Sequence, residues 1–383
     1  MTRILAPLPV NPRNPAAILP DLEAAIAGRA TFLPVPAEDR TRTELLRNHM
    51  RAGEPIDSSV ALVVATSGST GTPKGAQLTA ANLVSSADAT HIALGGPGQW
   101  LLAMPAHHIA GIQVLVRSLV AGVEPLCVDL SDGFSIRDFA RAAHELSATG
   151  DRSYTGLTPM QLAKAMDSLE GIEALRTFDA ILVGGAATHP QLLESAEKLR
   201  ITIVTTYGSS ETAGGCVYNG TPIDGARARI GKGNRIFLGG PMIAQGYRNV
   251  DSSDFTVDDS GTSWFATSDA GVLSDGHLNV TGRLDNILNT GGLKLHPEQL
   301  EHHILRVPGV EEACVVGIPD PRLGQMVVAA YTGWADVGDI LVALDDTGLP
   351  RWQIPKDFKR LAELPTTGPG KVDRLAVTRM WGS

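Results

Sequence analysis

The chain has no surplus of positive charge, few cysteines, few aromatic residues and no long apolar run. Lys and Arg number 32 against 41 Asp and Glu, for a formal net charge of -9. That excludes the basic surface of a general nucleic-acid binder and leaves only local cationic sites for anionic ligands. The 3 cysteines, Cys127, Cys216 and Cys314, stand far apart and form no Cys-x-x-Cys pair. Neither a zinc cluster nor a disulfide framework is expected, and the spacing fits a reducing cytoplasm. No apolar run is long enough for membrane insertion. Pro7 interrupts the N-terminal segment too early for a signal peptide. Aromatic residues make up 5% of the chain, too few to indicate the shape of a pocket.

What is present is an ordinary globular composition, 43% hydrophobic and 19% charged over 383 residues. That length suits roughly two or three domains. The 41 glycines and 24 prolines are dispersed, as in a chain with many tight turns. Residues 1–58 say least, with helical patterns only at 22–26 and 40–51. From Val60 to about Thr206, short apolar runs (101–104, 125–128, 180–183, 201–204) alternate with helical patterns (112–120, 136–145, 190–199). Such alternation predicts a layered α/β domain with a largely parallel sheet. Residues 215–282 predict a small antiparallel, barrel-like region. From Asp285 onward a compact α+β unit is expected, with helices near 298–305 and 340–344 and strands near 313–317 and 327–332. The expected division is a large N-terminal domain over 1–284 and a small one over 285–383.

The most distinctive stretch is Thr66-Ser67-Gly68-Ser69-Thr70-Gly71-Thr72-Pro73-Lys74-Gly75. It follows the apolar run 60–65 and precedes a helix that Thr79 can cap, running from near Ala80 towards Leu94. Glycines let the backbone approach a polyphosphate, N–H and hydroxyl groups donate to its oxygens, and Lys74 adds a charge. It is not a Walker A loop, because counting from Gly68 puts Pro73 where the second Gly should stand. Its bland reading is a polar loop from strand to helix. Downstream, Glu211 in Thr205-Thr206-Tyr207-Gly208-Ser209-Ser210-Glu211-Thr212 can hold Mg²⁺ on a nucleotide, or simply start a helix. Asp269 can accept from both hydroxyls of a vicinal diol, or form a turn. Lys371, on Gly368-Pro369-Gly370, can meet charge developing at a phosphate, or be an exposed turn lysine.

In this order, over residues 66–374, these stretches resemble the motifs of the adenylate-forming superfamily of acyl-CoA synthetases, adenylation domains and luciferases. The resemblance implies a phosphate loop of Thr66, Ser67, Gly68, Ser69, Thr70, Gly71 and Lys74. It implies Glu211 as the catalytic Mg²⁺ ligand, with Ser210 in place of the usual Thr. Tyr207 would lie near adenine, with Thr206, Gly184, Gly185 and Ala186 completing the nucleotide site. Asp269, after Ser268 where Gly is usual, and Arg283 would hold the ribose. Asp285 would be the hinge, and Gly291 and Gly292 would line the pantetheine arm of CoA. Lys371 would be the catalytic lysine. Pro297-Glu298-Gln299 departs from the usual Pro-x-Glu pattern and is read as structural. The implied chemistry consumes ATP and CoA: a carboxylate attacks the α-phosphate to give acyl-AMP and pyrophosphate, and the thiol then displaces AMP.

Met104-Pro105-Ala106-His107-His108-Ile109-Ala110-Gly111 matches the superfamily's acyl-pocket segment. Neighbours on an extended segment point opposite ways, so one of His107 and His108 is expected to face substrate and the other to pack. His302 and His303 are expected on a helix surface. The short chain, with its deficit before Thr66, and the run from His108 to Ser118 look like the o-succinylbenzoate–CoA ligases of menaquinone synthesis, in their compact actinobacterial form. A dicarboxylate of that kind needs a donor for the carboxylate that does not react, and Arg117 is the candidate. Its alternative is a surface or structural arginine. Another aryl- or fatty-acyl-CoA ligase, or a non-catalytic nucleotide-binding relative, stays open, as does a homodimer. A pocket Asp that would mark an amino-acid adenylation domain is not found.

Overall fold

The computed structural model describes residues 2–66, 72–366 and 372–382. The chain begins with a mixed sheet in the order Pro55–Asp57, Thr2–Val10, Thr31–Pro36, Val60–Thr66, Lys74–Thr79. The first two long strands were not expected, since prolines usually argue against strand. Pro7 and Pro9 recur at every second residue, so their missing N–H groups fall on one side of the strand. The antiparallel partner on one flank pairs only Thr2 to Ile4, which leaves an edge beyond it where no donor is needed. Helices Leu19–Ile26 and Arg40–His49 match the patterns at 22–26 and 40–51.

The second sheet carries the expected α/β alternation. Its order is Thr221–Pro222, Gly214–Tyr218, Ile203–Ser209, Ala180–Val183, Ser153–Leu157, Gln99–Leu102, Leu126–Cys127. The five strands from 99 to 209 run parallel, and the last two pair antiparallel at one edge. Parallel strands need both faces covered, hence the fully buried run Ala-Ile-Leu-Val at Ala180–Val183. Helix Ile109–Ala121 is enclosed on every side, with Gly111 to Ser118 buried without a break, and ends at Gly122 in the left-handed region. The strand expected at 201–204 continues to Ser209, so Tyr207 lies within it.

The barrel-like region is an antiparallel sheet of Arg227–Ile230, Arg235–Gly239, Ser263–Ser274 and Phe255–Val257, with His277–Arg283 pairing Ser263–Ser274. It is smaller than expected, because Gly214–Tyr218 joins the α/β sheet instead. The last sheet is built from Leu293–Leu295, Leu288–Thr290, Gly324–Gly333 and Val310–Asp320, with Asp357–Arg360 off that path and parallel to Gly324–Gly333. Leu300, Ile304, Val315, Tyr331, Ile340 and Leu344 give it a core of its own.

Candidate active site

The glycine-rich stretch joins strand to strand, not strand to helix. Val60–Thr66 and Lys74–Thr79 form an antiparallel hairpin in which Thr66 faces Lys74. Only after it does helix Ala80–Ala93 start, with Thr79 as its cap and Asn82 completing a capping box. A short polar run, Lys-Gly-Ala-Gln-Leu-Thr, has too little apolar pattern to reveal the second strand. Ser67, Gly68, Ser69, Thr70, Gly71 and Lys371 lie outside the described residues. The loop's base is clamped by Asn249, whose side chain accepts from Gly75 N (3.1 Å) and donates to Pro73 O (2.9 Å).

Lys74 Nζ sits 4.8 Å from the centre of the Tyr247 ring. The Tyr247 hydroxyl donates to Glu211 Oε1 at 2.8 Å. Burial, and then the Glu211 carboxylate, push the Tyr247 phenol well above its ordinary pKa, so it stays a donor. Glu211 is 7% exposed and lies in the tight turn Ser210–Thr212, where its carbonyl accepts from Ala244 N at 2.8 Å. No cluster of three or more potential metal ligands exists among the described residues. One carboxylate suits Mg²⁺ nonetheless, since that ion keeps waters and takes its remaining ligands from phosphates. Sequence reasoning missed Tyr247, which no motif marks.

A second constellation joins Tyr207, Asp269, Arg283 and Asp285. Asp269 and Arg283 face each other across neighbouring strands. Tyr207 Oη donates to Asp269 Oδ2 at 2.7 Å, and Arg283 Nη1 approaches Oδ1 at 3.4 Å. Arg283 turns its fork on Asp285, with bonds of 2.8 and 2.6 Å. Burial raises the Asp269 pKa, opposed by the Tyr207 hydrogen bond and the Arg283 charge. Ser268 is not among the positive-φ residues, so the usual glycine is not needed there. Gly184 follows the strand Ala180–Val183 and packs against Thr206: a Cβ on it would lie 2.2 Å from Thr206 Oγ1. Gly185 and Ala186 continue that turn, at the carboxyl end of the parallel strands where α/β sheets take ligands.

His107 and His108 do not point apart; their rings lie side by side with centroids 4.2 Å apart. Burial above all, with like charge from His108 and Arg42, holds His107 at about 3. Burial and Arg42 hold His108 at about 4. His108 also opens the helix that carries Arg117. Arg117 is no surface residue: it is 4% exposed. Its guanidinium carbon lies 4.9 Å from the Trp100 ring centre and its Nη2 lies 3.4 Å from Tyr218 Oη. Its Nε is buried without a hydrogen-bond partner, and it forms no ion pair among the described residues.

In the last sheet, Gly291 and Gly292 (φ +59° and +80°) form the two-residue turn between Leu288–Thr290 and Leu293–Leu295, which only residues free to take positive φ can make. Thr366 and Val372 bridge the segment that holds Lys371. The base of that segment is pinned by Arg374, which pairs with Glu301 at 2.7 Å. His302 and His303 lie on Pro297–Ile304, where burial first, then nearby positive charge, lowers both.

The family model for AMP-binding enzymes matches residues 15–247, and that for the AMP-binding enzyme C-terminal domain matches 299–371. The chain is 43% identical over 381 residues to a probable 2-succinylbenzoate–CoA ligase of Mycobacterium tuberculosis, covering 95% of each. It is 28% identical over 386 residues to the 2-succinylbenzoate–CoA ligase of Escherichia coli, covering 97% of this chain and 81% of that one. Among solved structures, o-succinylbenzoate CoA synthetase from Bacillus subtilis with its acyl-adenylate OSB-AMP matches with a TM-score of 0.73 at 24% identity, over 96% of this chain and 81% of that chain. ATP-bound MatB from Rhodopseudomonas palustris gives 0.83 at 18% identity, over 99% and 89%. At these identities the structural likenesses speak for the fold.

Proposed function

This chain belongs to the AMP-binding enzyme family, and we propose that within it the chain is an ATP-dependent o-succinylbenzoate–CoA ligase of menaquinone biosynthesis. The observation that carries the reading is the Arg117 guanidinium, buried with no ion-pair partner among the described residues on the helix that His108 opens. Burying a lone cation is costly unless a ligand brings the missing anion. A substrate with a second carboxylate does that, and the 43% identical relative is named for such a substrate.

In this mechanism residues 66–71 and Lys74 take the phosphates of ATP. Glu211, steadied by Tyr247, holds Mg²⁺, which neutralises phosphate charge when bound. Asp269 and Arg283 take the ribose, and Thr206, Tyr207 and residues 184–186 border the base. His107 and His108 stay neutral and wall the acyl pocket. One carboxylate of the acid attacks the α-phosphorus and the bond to pyrophosphate breaks, with Lys371 meeting the developing charge. The segment after Asp285 then turns, in a division at 284 and 285. The CoA thiol, passing Gly291 and Gly292, gives up its proton to solvent and attacks the acyl carbon, and the bond from that carbon to AMP breaks. No described helix is long and apolar enough to cross a membrane. A cytoplasmic enzyme without a nucleic-acid partner fits the composition, and a homodimer is part of the proposal.

Pyrophosphate release with Mg-ATP tests the reading, using o-succinylbenzoate with and without CoA against benzoate and a medium-chain fatty acid. Turnover confined to o-succinylbenzoate, with a CoA thioester formed, is expected. Turnover with another acid alone would overturn the substrate, and silence with every acid would overturn the ligase.

A further inference from the structure

We propose that Tyr218 is a positioning residue for substrate selection, holding the Arg117 guanidinium so that its unpartnered edge is kept for the substrate's non-reacting carboxylate. This rests on the ligase reading above. A proton count fixes the direction of the contacts. Thr90 has one hydroxyl proton, and it donates that proton to Ser86 O, one turn back on the same helix, at 2.8 Å. The 2.8 Å contact between Thr90 Oγ1 and Tyr218 Oη must therefore be donated by the tyrosine. Tyr218 has then spent its only proton, and its oxygen meets Arg117 Nη2, at 3.4 Å, purely as an acceptor. A donor to Arg117 in that place would repel it.

Trp100 and His91 add no second cation beside Arg117. Trp100 lies against the guanidinium with its face, and its Nε1 points at His91 Nε2 at 3.4 Å, which requires that nitrogen to be unprotonated. Burial first, then the Arg117 charge, lowers the His91 pKa, while Asp88 opposes them. Arg117 is thus held on one face by a ring and at one nitrogen by an oriented oxygen, with Nε left over. Close packing brings Tyr218 there: a Cβ on Gly215 would lie 3.2 Å from Tyr218 Cε1, and one on Gly214 would lie 3.3 Å from Gln113 Cγ. Gln113 stands one turn before Arg117 and also has a buried oxygen without a partner among the described residues. That helix face therefore carries two buried polar groups, Gln113 Oε1 and Arg117 Nε, that lack a hydrogen-bond partner among the described residues.

The test compares wild type, Tyr218→Phe and Thr90→Val with o-succinylbenzoate and with two mono-acids, 4-oxo-4-phenylbutanoate and 2-butanoylbenzoate. Each is read as turnover with Mg-ATP and CoA, or as inhibition where no turnover occurs. Tyr218→Phe is expected to reduce preference for the diacid over the mono-acids about tenfold, the worth of one hydrogen bond to a buried charge. The loss should appear in KM for the diacid and not in KM for ATP. Thr90→Val should act in the same direction and more weakly, and it decides the matter if Tyr218→Phe does not fold. A fall in melting temperature with diacid preference unchanged would mean that Tyr218 only fills space, and would overturn the role. Wild type that ignores o-succinylbenzoate would instead remove the ligase reading, and this role with it.

Discussion

At the scale of single residues, Glu211 and Arg117 are both buried, and among the described residues each meets a tyrosine hydroxyl and no ion-pair partner. Tyr247 donates to Glu211, and Tyr218 accepts from Arg117. Each arrangement lowers the cost of burial without cancelling the charge, which is what a site for a charged ligand needs. Arg117→Ala should raise KM for o-succinylbenzoate about thirtyfold or more, since an interaction with a charged group is worth about 2 kcal/mol or above. KM for ATP should not move, and an unchanged KM for the acid would reject the role. Tyr247→Phe should raise the Mg²⁺ concentration needed for half-maximal pyrophosphate release about tenfold, as loss of a partner behind a metal ligand does. A magnesium titration that matches wild type would separate Tyr247 from the metal.

At the scale of elements, legibility followed pattern length. The helix was readable from its Thr79 cap, and the strand Ala180–Val183 from its unbroken apolar run. Strand Lys74–Thr79 was not, because it is six residues long and owes its place to pairing with Val60–Thr66 and to hydrogen bonds with residues 245–248. The histidine pair was misjudged for a related reason. Alternation holds in regular strand, whereas His107 and His108 sit in the turn before a helix. Both are held well below their ordinary value, so the native state resists protonation where the unfolded chain does not. Stability should therefore fall as pH drops from about 6.5 towards about 4, by at most ~1.4 kcal/mol per pH unit for each histidine. Melting temperatures of His107→Asn across that range should show a shallower slope than wild type; an identical slope would refute the burial cost.

At the scale of the whole molecule, the order of the last three sheets was legible, and the first sheet and the grouping of site residues were not. Strand–helix alternation announced the parallel sheet. Asp269 and Arg283 stand 14 positions apart, and only the pairing of two strands brings them together. Arg117 and Tyr218 lie 101 positions apart, and no motif links them. The proposed division at Asp285 makes its own prediction. Asp285→Ala, which also loses the pair with Arg283, sets the baseline; relative to it Asp285→Pro restricts the backbone at the hinge and should leave pyrophosphate release with Mg-ATP and acid in place. It should slow thioester formation from supplied acyl-adenylate at least about tenfold. Equal losses in both steps would contradict a hinge there.

The most direct measurement is the product formed by wild type from an equimolar mixture of o-succinylbenzoate, 4-oxo-4-phenylbutanoate, 2-butanoylbenzoate and benzoate, with Mg-ATP and CoA. If a buried arginine selects a dicarboxylate, the thioester recovered should be that of o-succinylbenzoate almost alone, and the same mixture given to Arg117→Ala should lose that preference. A mixture of thioesters from wild type, or a preference that survives the loss of Arg117, would contradict the account.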